Sequence, residues 1–153
     1  MVQATPLLLV LFLALGAHGL PPMWMCKLTG QWQNDLGSNM TIDEVKENGD
    51  FTGKYFTAVS ASPEEIKESP LVGSQRLPYW SQPTFGFTVH WNFTSSPIES
   101  ITVFTGQCFV DDNGKEILKT MWLLRSHVRS PRDDWKATLV GYNTFWRKED
   151  LMD

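Results

Sequence analysis

Uncharged hydrogen-bonding side chains recur along this sequence in step with apolar ones, and the chemistry of the chain has to be sought there. Read with the two-residue period of a strand, one stretch aligns Phe51, Gly53, Tyr55, Thr57 and Val59 on a single face. Another aligns Ser100, Thr102, Phe104, Gly106 and Cys108, and a third aligns Ala137, Leu139, Gly141, Asn143 and Phe145. An unpaired hydroxyl or amide buried in a core costs roughly 1–3 kcal/mol. A neighbour or a trapped water satisfies any one of these groups, but several on interior faces point to a bound ligand. Tyr, Thr, Ser and Asn are neutral donors and acceptors, which suits an uncharged polar head beside an apolar, aromatic-walled section.

Acid/base catalysis finds little to work with. The carboxylates lie mostly in turns, as at Asp111-Asp112 and Asp133-Asp134, and the inward faces carry neither a carboxylate pair nor a histidine. Thirteen Lys+Arg against seventeen Asp+Glu give a net charge of −4 with no long basic run, so the electrostatic footprint of a nucleic-acid binder is missing. Two cysteines are too few for a four-ligand structural metal site. We therefore expect a protein that is not an enzyme and holds no metal or cofactor.

Residues 1–19 carry no charge and include an apolar run from Leu7 to Leu15, followed by the small-x-small spacing of Ala17-His18-Gly19. The run is too short to span a bilayer and reads as a signal peptide, leaving residues 20–153 as one secreted domain without a membrane anchor. An oxidising compartment favours a bond between Cys26 and Cys108 over free thiols. Two sequons, Asn39-Met40-Thr41 and Asn92-Phe93-Thr94, mark Asn39 and Asn92 for glycosylation in the same compartment.

The elements that must position the polar groups are short strands. Turn signals recur at brief intervals, and between them lie about eight runs rich in Thr, Val, Phe, Trp and Tyr. Asn48-Gly49 and Asn113-Gly114 read as hairpin turns with positive φ at both central residues. Only residues 62–67 look briefly helical, and that stretch is too short to matter. The expected fold is all-β, with neighbouring strands joined as antiparallel hairpins. In the fifth run Phe85, Phe87, Val89, Trp91 and Phe93 share a face, which puts Asn92 outside; in the seventh, Leu118, Thr120, Trp122 and Leu124 share the Trp-bearing face. Seven Trp and nine Phe are many for 153 residues, and a closed eight-stranded sheet can spend them on lining one small-ligand cavity.

At this point the residues resemble a known family. The stretch from Leu28 to Ile42, with Gln31-Trp32-Gln33-Asn34-Asp35-Leu36-Gly37-Ser38-Asn39-Met40-Thr41 at its centre, is similar to the first hairpin of the avidin and streptavidin group. So are Phe51-Thr52-Gly53-Lys54-Tyr55, Val103-Phe104-Thr105-Gly106-Gln107-Cys108, Lys119-Thr120-Met121-Trp122 and Asp133-Asp134-Trp135-Lys136. The likeness runs from about Cys26 to Phe145. It implies an eight-stranded antiparallel up-and-down β-barrel that binds biotin inside and assembles as a homotetramer.

By that resemblance Asn34, Ser38 and Tyr55 would hold the ureido oxygen of biotin, and Thr57 and Asn143 would accept from its nitrogens. Thr102 would lie near the thioether sulfur. Trp91, Phe93, Phe104 and Trp122, with Leu124 on the same inward face, would wall the ring and the valeryl chain. Ser60, Ala61 and Ser62 and, from the next loop, Thr94 and Ser96 would receive the carboxylate. Trp135 would reach into the neighbouring subunit's site, and Cys26 would pair with Cys108. Departures from the family pattern are a segment about four residues longer between Phe93 and Phe104, a Leu77-Pro78-Tyr79-Trp80 loop of different character, and Leu139 where the avidin-type members have Arg; none touches the residues matched to the ureido group. Glu99 would repel a bound carboxylate if it turned inward. The other barrel class to weigh is a lipocalin-like carrier of a greasier ligand, whose lining would leave Asn34, Ser38, Tyr55, Thr57 and Asn143 unsatisfied.

Overall fold

Each of the eight β-prone runs forms a strand: β1 (Gly30–Asn34), β2 (Asn39–Ile42), β3 (Asp50–Phe56), β4 (Ser69–Gln75), β5 (Thr84–His90), β6 (Ser100–Val110), β7 (Glu116–Ser126) and β8 (Thr138–Arg147). The structure, a computed structural model, describes residues 24–58, 68–76, 81–92 and 99–152. Outside the described residues lie the expected signal peptide, the brief helical stretch 62–67, and the site candidates Ser60, Ala61, Ser62, Phe93, Thr94 and Ser96. Every strand pairs antiparallel with the next, and β1 pairs with β8, so the sheet closes into an eight-stranded up-and-down barrel. The all-β, eight-stranded expectation holds. Closure leaves no edge strand to be covered.

The alternation that assigns faces in the sequence is visible in the burial. Along β3, Phe51, Gly53 and Tyr55 are buried while Asp50, Thr52, Lys54 and Phe56 are exposed. Along β5, Phe85, Phe87 and Val89 face in. At one end of the barrel these positions pack into a solid core of Trp32, Phe51, Leu71, Leu118 and Phe145. Trp32 donates its indole N–H to the Leu28 carbonyl at 2.8 Å, and the Arg147 guanidinium lies 4.0 Å over its ring. Arg147 also donates to the carbonyls of Lys27 and Thr29 and pairs with Glu116 at 2.7 Å, closing this floor. The Cys26–Cys108 disulfide ties the segment before β1 to β6 across the same end.

The turns differ from expectation in one respect. Among the described residues no side-chain-bearing residue has positive φ, so Asn48 and Asn113 do not occupy the left-handed region. Gly37, Gly49 and Gly114 do, at φ 84°, 93° and 80°. In all three hairpins the glycine N–H bonds to the carbonyl three residues back: Gly37 to Asn34, Gly49 to Lys46 and Gly114 to Asp111, each at 2.9 Å. These are three-residue loops in which a type I turn is followed by one left-handed residue, so a single glycine suffices.

Candidate ligand-binding site

The end opposite the floor is built from the upper halves of the same strands, and most of its inward positions are polar or aromatic. Asn34, Ser38, Tyr55, Thr102, Phe104, Thr120 and Asn143 are buried there, while Thr57, Trp91, Trp122 and Leu124 are half-buried. Tyr55 sits at the centre. Its ring lies edge-on to Trp91 at 5.5 Å, tilted against Phe104 at 5.8 Å and edge-on to Phe145 at 6.3 Å. Room for Trp122 comes from its register partner Gly141, since a Cβ there would run into the indole. Two tryptophans spend their polar handles on the wall itself. Trp91 donates to Thr102 Oγ1 at 2.8 Å, and Trp122 donates to Asn143 Oδ1 at 2.9 Å.

The two asparagine amides are fixed in opposite senses. Asn34 Oδ1 accepts from the backbone N–H groups of Leu36 (3.0 Å) and Ser38 (2.8 Å), as an Asx-type cap of the hairpin turn. Its Nδ2 is thereby turned inward, 3.3 Å from the Tyr55 hydroxyl, to which it donates. Asn143 is held the other way. Its Nδ2 donates to the Asp35 carboxylate at 2.8 Å and its Oδ1 takes the Trp122 N–H. A carboxylate can only accept and an indole N–H can only donate, so each amide has one possible orientation. Ser38 Oγ accepts the Ala58 N–H at 2.9 Å and lies 3.5 Å from Thr57 Oγ1, which ties the β1–β2 turn to the segment that follows β3. Burial pushes the Tyr55 hydroxyl well above the ordinary tyrosine range; the nearby Asp35 charge adds to that, and its bond with Ser38 opposes it. Tyr55 is therefore a protonated donor at neutral pH.

One side of this end thus offers donors, from Asn34 Nδ2, Ser38 and Tyr55, and the other offers the acceptor Asn143 Oδ1. Asp35 and Thr120 do positioning work that the sequence reading did not single out. Thr120 Oγ1 donates to the Asn143 carbonyl at 2.9 Å, holding β8 at that level. Alternation already puts Thr120 on the inner face, but nothing local marks Asp35, which follows Asn34 and meets Asn143 only because β1 closes on β8.

At the rim Leu124 faces Leu139 across β7 and β8, and Leu139 stays 59% exposed. Glu99 does not turn inward: it pairs with His127 Nδ1 at 3.3 Å, in register with the outward Ile101 and Arg125. It therefore presents no carboxylate to the interior. Trp135 takes no part in its own barrel's lining. It stands 82% exposed on a short 3-10 turn, Pro131–Lys136, which the sequence shows only as a turn signal. Of the sequon asparagines, Asn92 is exposed beyond the end of β5 and Asn39 is half-buried on the outer face of β2.

Residues 23–148 match the family model described as the Avidin family. The chain belongs to the avidin family. Among its relatives, avidin from Gallus gallus is 62% identical over 151 residues, covering 96% of each chain, and avidin-related protein 4/5 of the same organism is 61% identical over 141 residues, covering 92% of this chain and 90% of the relative. The crystal structure of Xenavidin superposes with a TM-score of 0.75 at 55% identity, covering 80% of this chain and 98% of that one. The X-ray structure of a biotin binding protein from chicken gives 0.74 at 54%, covering 80% and 97%. The avidin-family barrel and the Cys26–Cys108 bond anticipated from the resemblance are both present.

Proposed function

We propose that this member of the avidin family is a secreted, non-catalytic biotin-binding protein that sequesters biotin with high affinity inside its barrel. The observation that carries this reading is the opposed locking of Asn34 and Asn143. A cyclic urea has one carbonyl oxygen flanked by N–H groups, and it needs donors on one side and acceptors beside them. Asn34, Ser38 and Tyr55 converge on the carbonyl, while Thr57 and Asn143 Oδ1 take the N–H groups. Three donors polarise that carbonyl, and away from water each bond strengthens. Thr102, Trp91, Phe104, Trp122 and Leu124 then enclose the apolar remainder, with Phe93 completing the wall and Ser60, Ala61, Ser62, Thr94 and Ser96 taking the carboxylate. Burial of that remainder contributes about 25 cal/mol per Å². A lipid in the same place would leave the donors and acceptors unmatched.

The uncharged, apolar 1–19 segment is read as a signal peptide preceding the 20–153 domain, which places the disulfide and glycans on Asn39 and Asn92 in one compartment. Assembly as a homotetramer is supported by the outer faces of β6, β7 and β8. Val103, Leu123 and Val140 are exposed register neighbours, and Met121 and Tyr142 extend the same apolar sheet face. In this reading Trp135, exposed on its turn, enters a neighbour's site and completes it.

The test is a titration of the mature protein with biotin, followed by tryptophan emission and thermal midpoint. Saturation is expected near one biotin per chain. At a thousandfold excess over Kd the folded state gains about 4 kcal/mol. An unchanged emission and an unchanged midpoint after stoichiometric addition would rule the reading out.

A further inference from the structure

The turn that carries Trp135 is a capped 3-10 turn, yet no residue within it is buried. Its own bonds set its shape. Ser130 caps it by accepting the Arg132 N–H at 3.3 Å, Pro131 pre-sets its first φ, and Lys136 pairs with Asp133 at 2.9 Å. None of these contacts fixes how the turn sits against the barrel. That is done from β7. Arg125 Nη2 donates to Asp134 Oδ1 at 2.5 Å and Nη1 to Thr138 Oγ1 at 3.3 Å, gripping the residue before Trp135 and the first residue of β8. Next to this grip the Ser126 N–H bonds to the Ala137 carbonyl at 2.9 Å, and Ala137 is buried. Among the described residues, Arg125 is the side chain through which the barrel wall holds the turn.

We infer that Arg125, through Asp134, is the positioning residue for Trp135: it holds the exposed indole at a fixed angle before any partner is met, so that docking into a neighbour's site does not have to order the turn. The inference rests on the proposed role of Trp135 in the neighbouring site. A planar guanidinium gripping two oxygens on different residues restricts orientation as well as distance. Without it the turn keeps its internal bonds but can pivot about the chain at Ala137. The ordering that Arg125 supplies in advance would then be demanded at each closure over ligand.

The experiment measures the release of labelled biotin, chased with excess unlabelled biotin, from the assembled full-length mature protein. Arg125→Gln and Asp134→Asn are each expected to quicken release about two- to fivefold, the range an exposed ion pair can supply. The double variant should be no faster than either single one, because both remove the same contact. Arg125→Lys should recover part of the effect. In a Trp135→Lys background, where release is already fast, Arg125→Gln should change nothing further. Wild-type release from Arg125→Gln, additive effects in the double variant, or a continued effect in the Trp135→Lys background would each overturn the positioning role while leaving the shared site standing. Should Trp135→Lys itself release biotin at the wild-type rate, the shared site falls, and the role of Arg125 with it.

Discussion

Two hairpin turns of this barrel are built alike and used differently. At the open end residues 34–38 join β1 to β2; at the floor residues 111–115 join β6 to β7. Both put a glycine, Gly37 or Gly114, in the left-handed region, and both are closed by a 2.9 Å bond from the first residue's N–H to the fifth residue's carbonyl. In each the leading side chain caps the loop. Asn34 Oδ1 accepts from residues 36 and 38 at 3.0 and 2.8 Å, and Asp111 Oδ1 accepts from residues 113 and 115 at 2.9 and 2.8 Å. The turn needs only that one oxygen. What is left over differs: Asp111 keeps a second carboxylate oxygen near solvent, whereas Asn34 keeps an NH₂ group, buried and directed at Tyr55. A local folding device thus becomes a ligand donor by the choice between two residues that fold the turn equally well.

Asn34→Asp breaks that distinction most sharply. The capping oxygen survives, so the hairpin should form and the barrel should fold. The inward donor is replaced by negative charge, which faces the carbonyl of the ligand and draws the Tyr55 and Ser38 hydroxyls to itself. Biotin affinity should fall by at least about 3 kcal/mol, more than a hundredfold in Kd. Competition against a fluorescent biotin measures this, and circular dichroism checks the fold. A loss below tenfold in a folded variant would mean that the 34–38 turn is no more a donor than its counterpart at the floor.

Tyr55, against which Asn34 is directed, gives the next effect through pH. Its hydroxyl is raised by burial, so below about pH 10 it is protonated in folded and unfolded chains alike and stability does not depend on it. Above that pH the unfolded chain ionises first and is favoured. Stability should therefore decline by about 1.4 kcal/mol per pH unit from this residue. Tyr55→Phe should lose that part of the decline, as read by denaturant unfolding between pH 9 and 11. A mutant with the same alkaline slope as the parent would show that the phenol is not shielded.

The barrel and its inward faces were legible from the sequence because alternation is local and each strand repeats it. Tyr55, Thr102 and Asn143 could be put on interior faces by counting residues. Partners across the closure could not. Asp35 lies in the turn just past β1, at outward parity to it, and its bond to Asn143 joins residues 108 apart in sequence. The hairpins were legible, but the Asn-Gly pairs suggested two left-handed residues where the turns use one. The turn before Trp135 shows in the sequence only as a turn signal at Ser130-Pro131; its cap, and the grip of Arg125 on Asp134 that depends on β7 lying beside it, are stated by no local pattern.

The smallest effect completes the comparison from the other side. Asp111→Asn exchanges the same two residue types in the reverse direction, at the turn with no ligand to face. The amide oxygen can accept from Asn113 and Lys115 as the carboxylate does, and the NH₂ group it introduces stands near water. Stability should change by no more than about 0.5 kcal/mol, and biotin affinity not at all. Thermal unfolding and the same competition assay measure both. If Asp111→Asn weakened biotin, the two ends of the barrel would be coupled, and the binding effect of Asn34→Asp could no longer be assigned to the donor it removes.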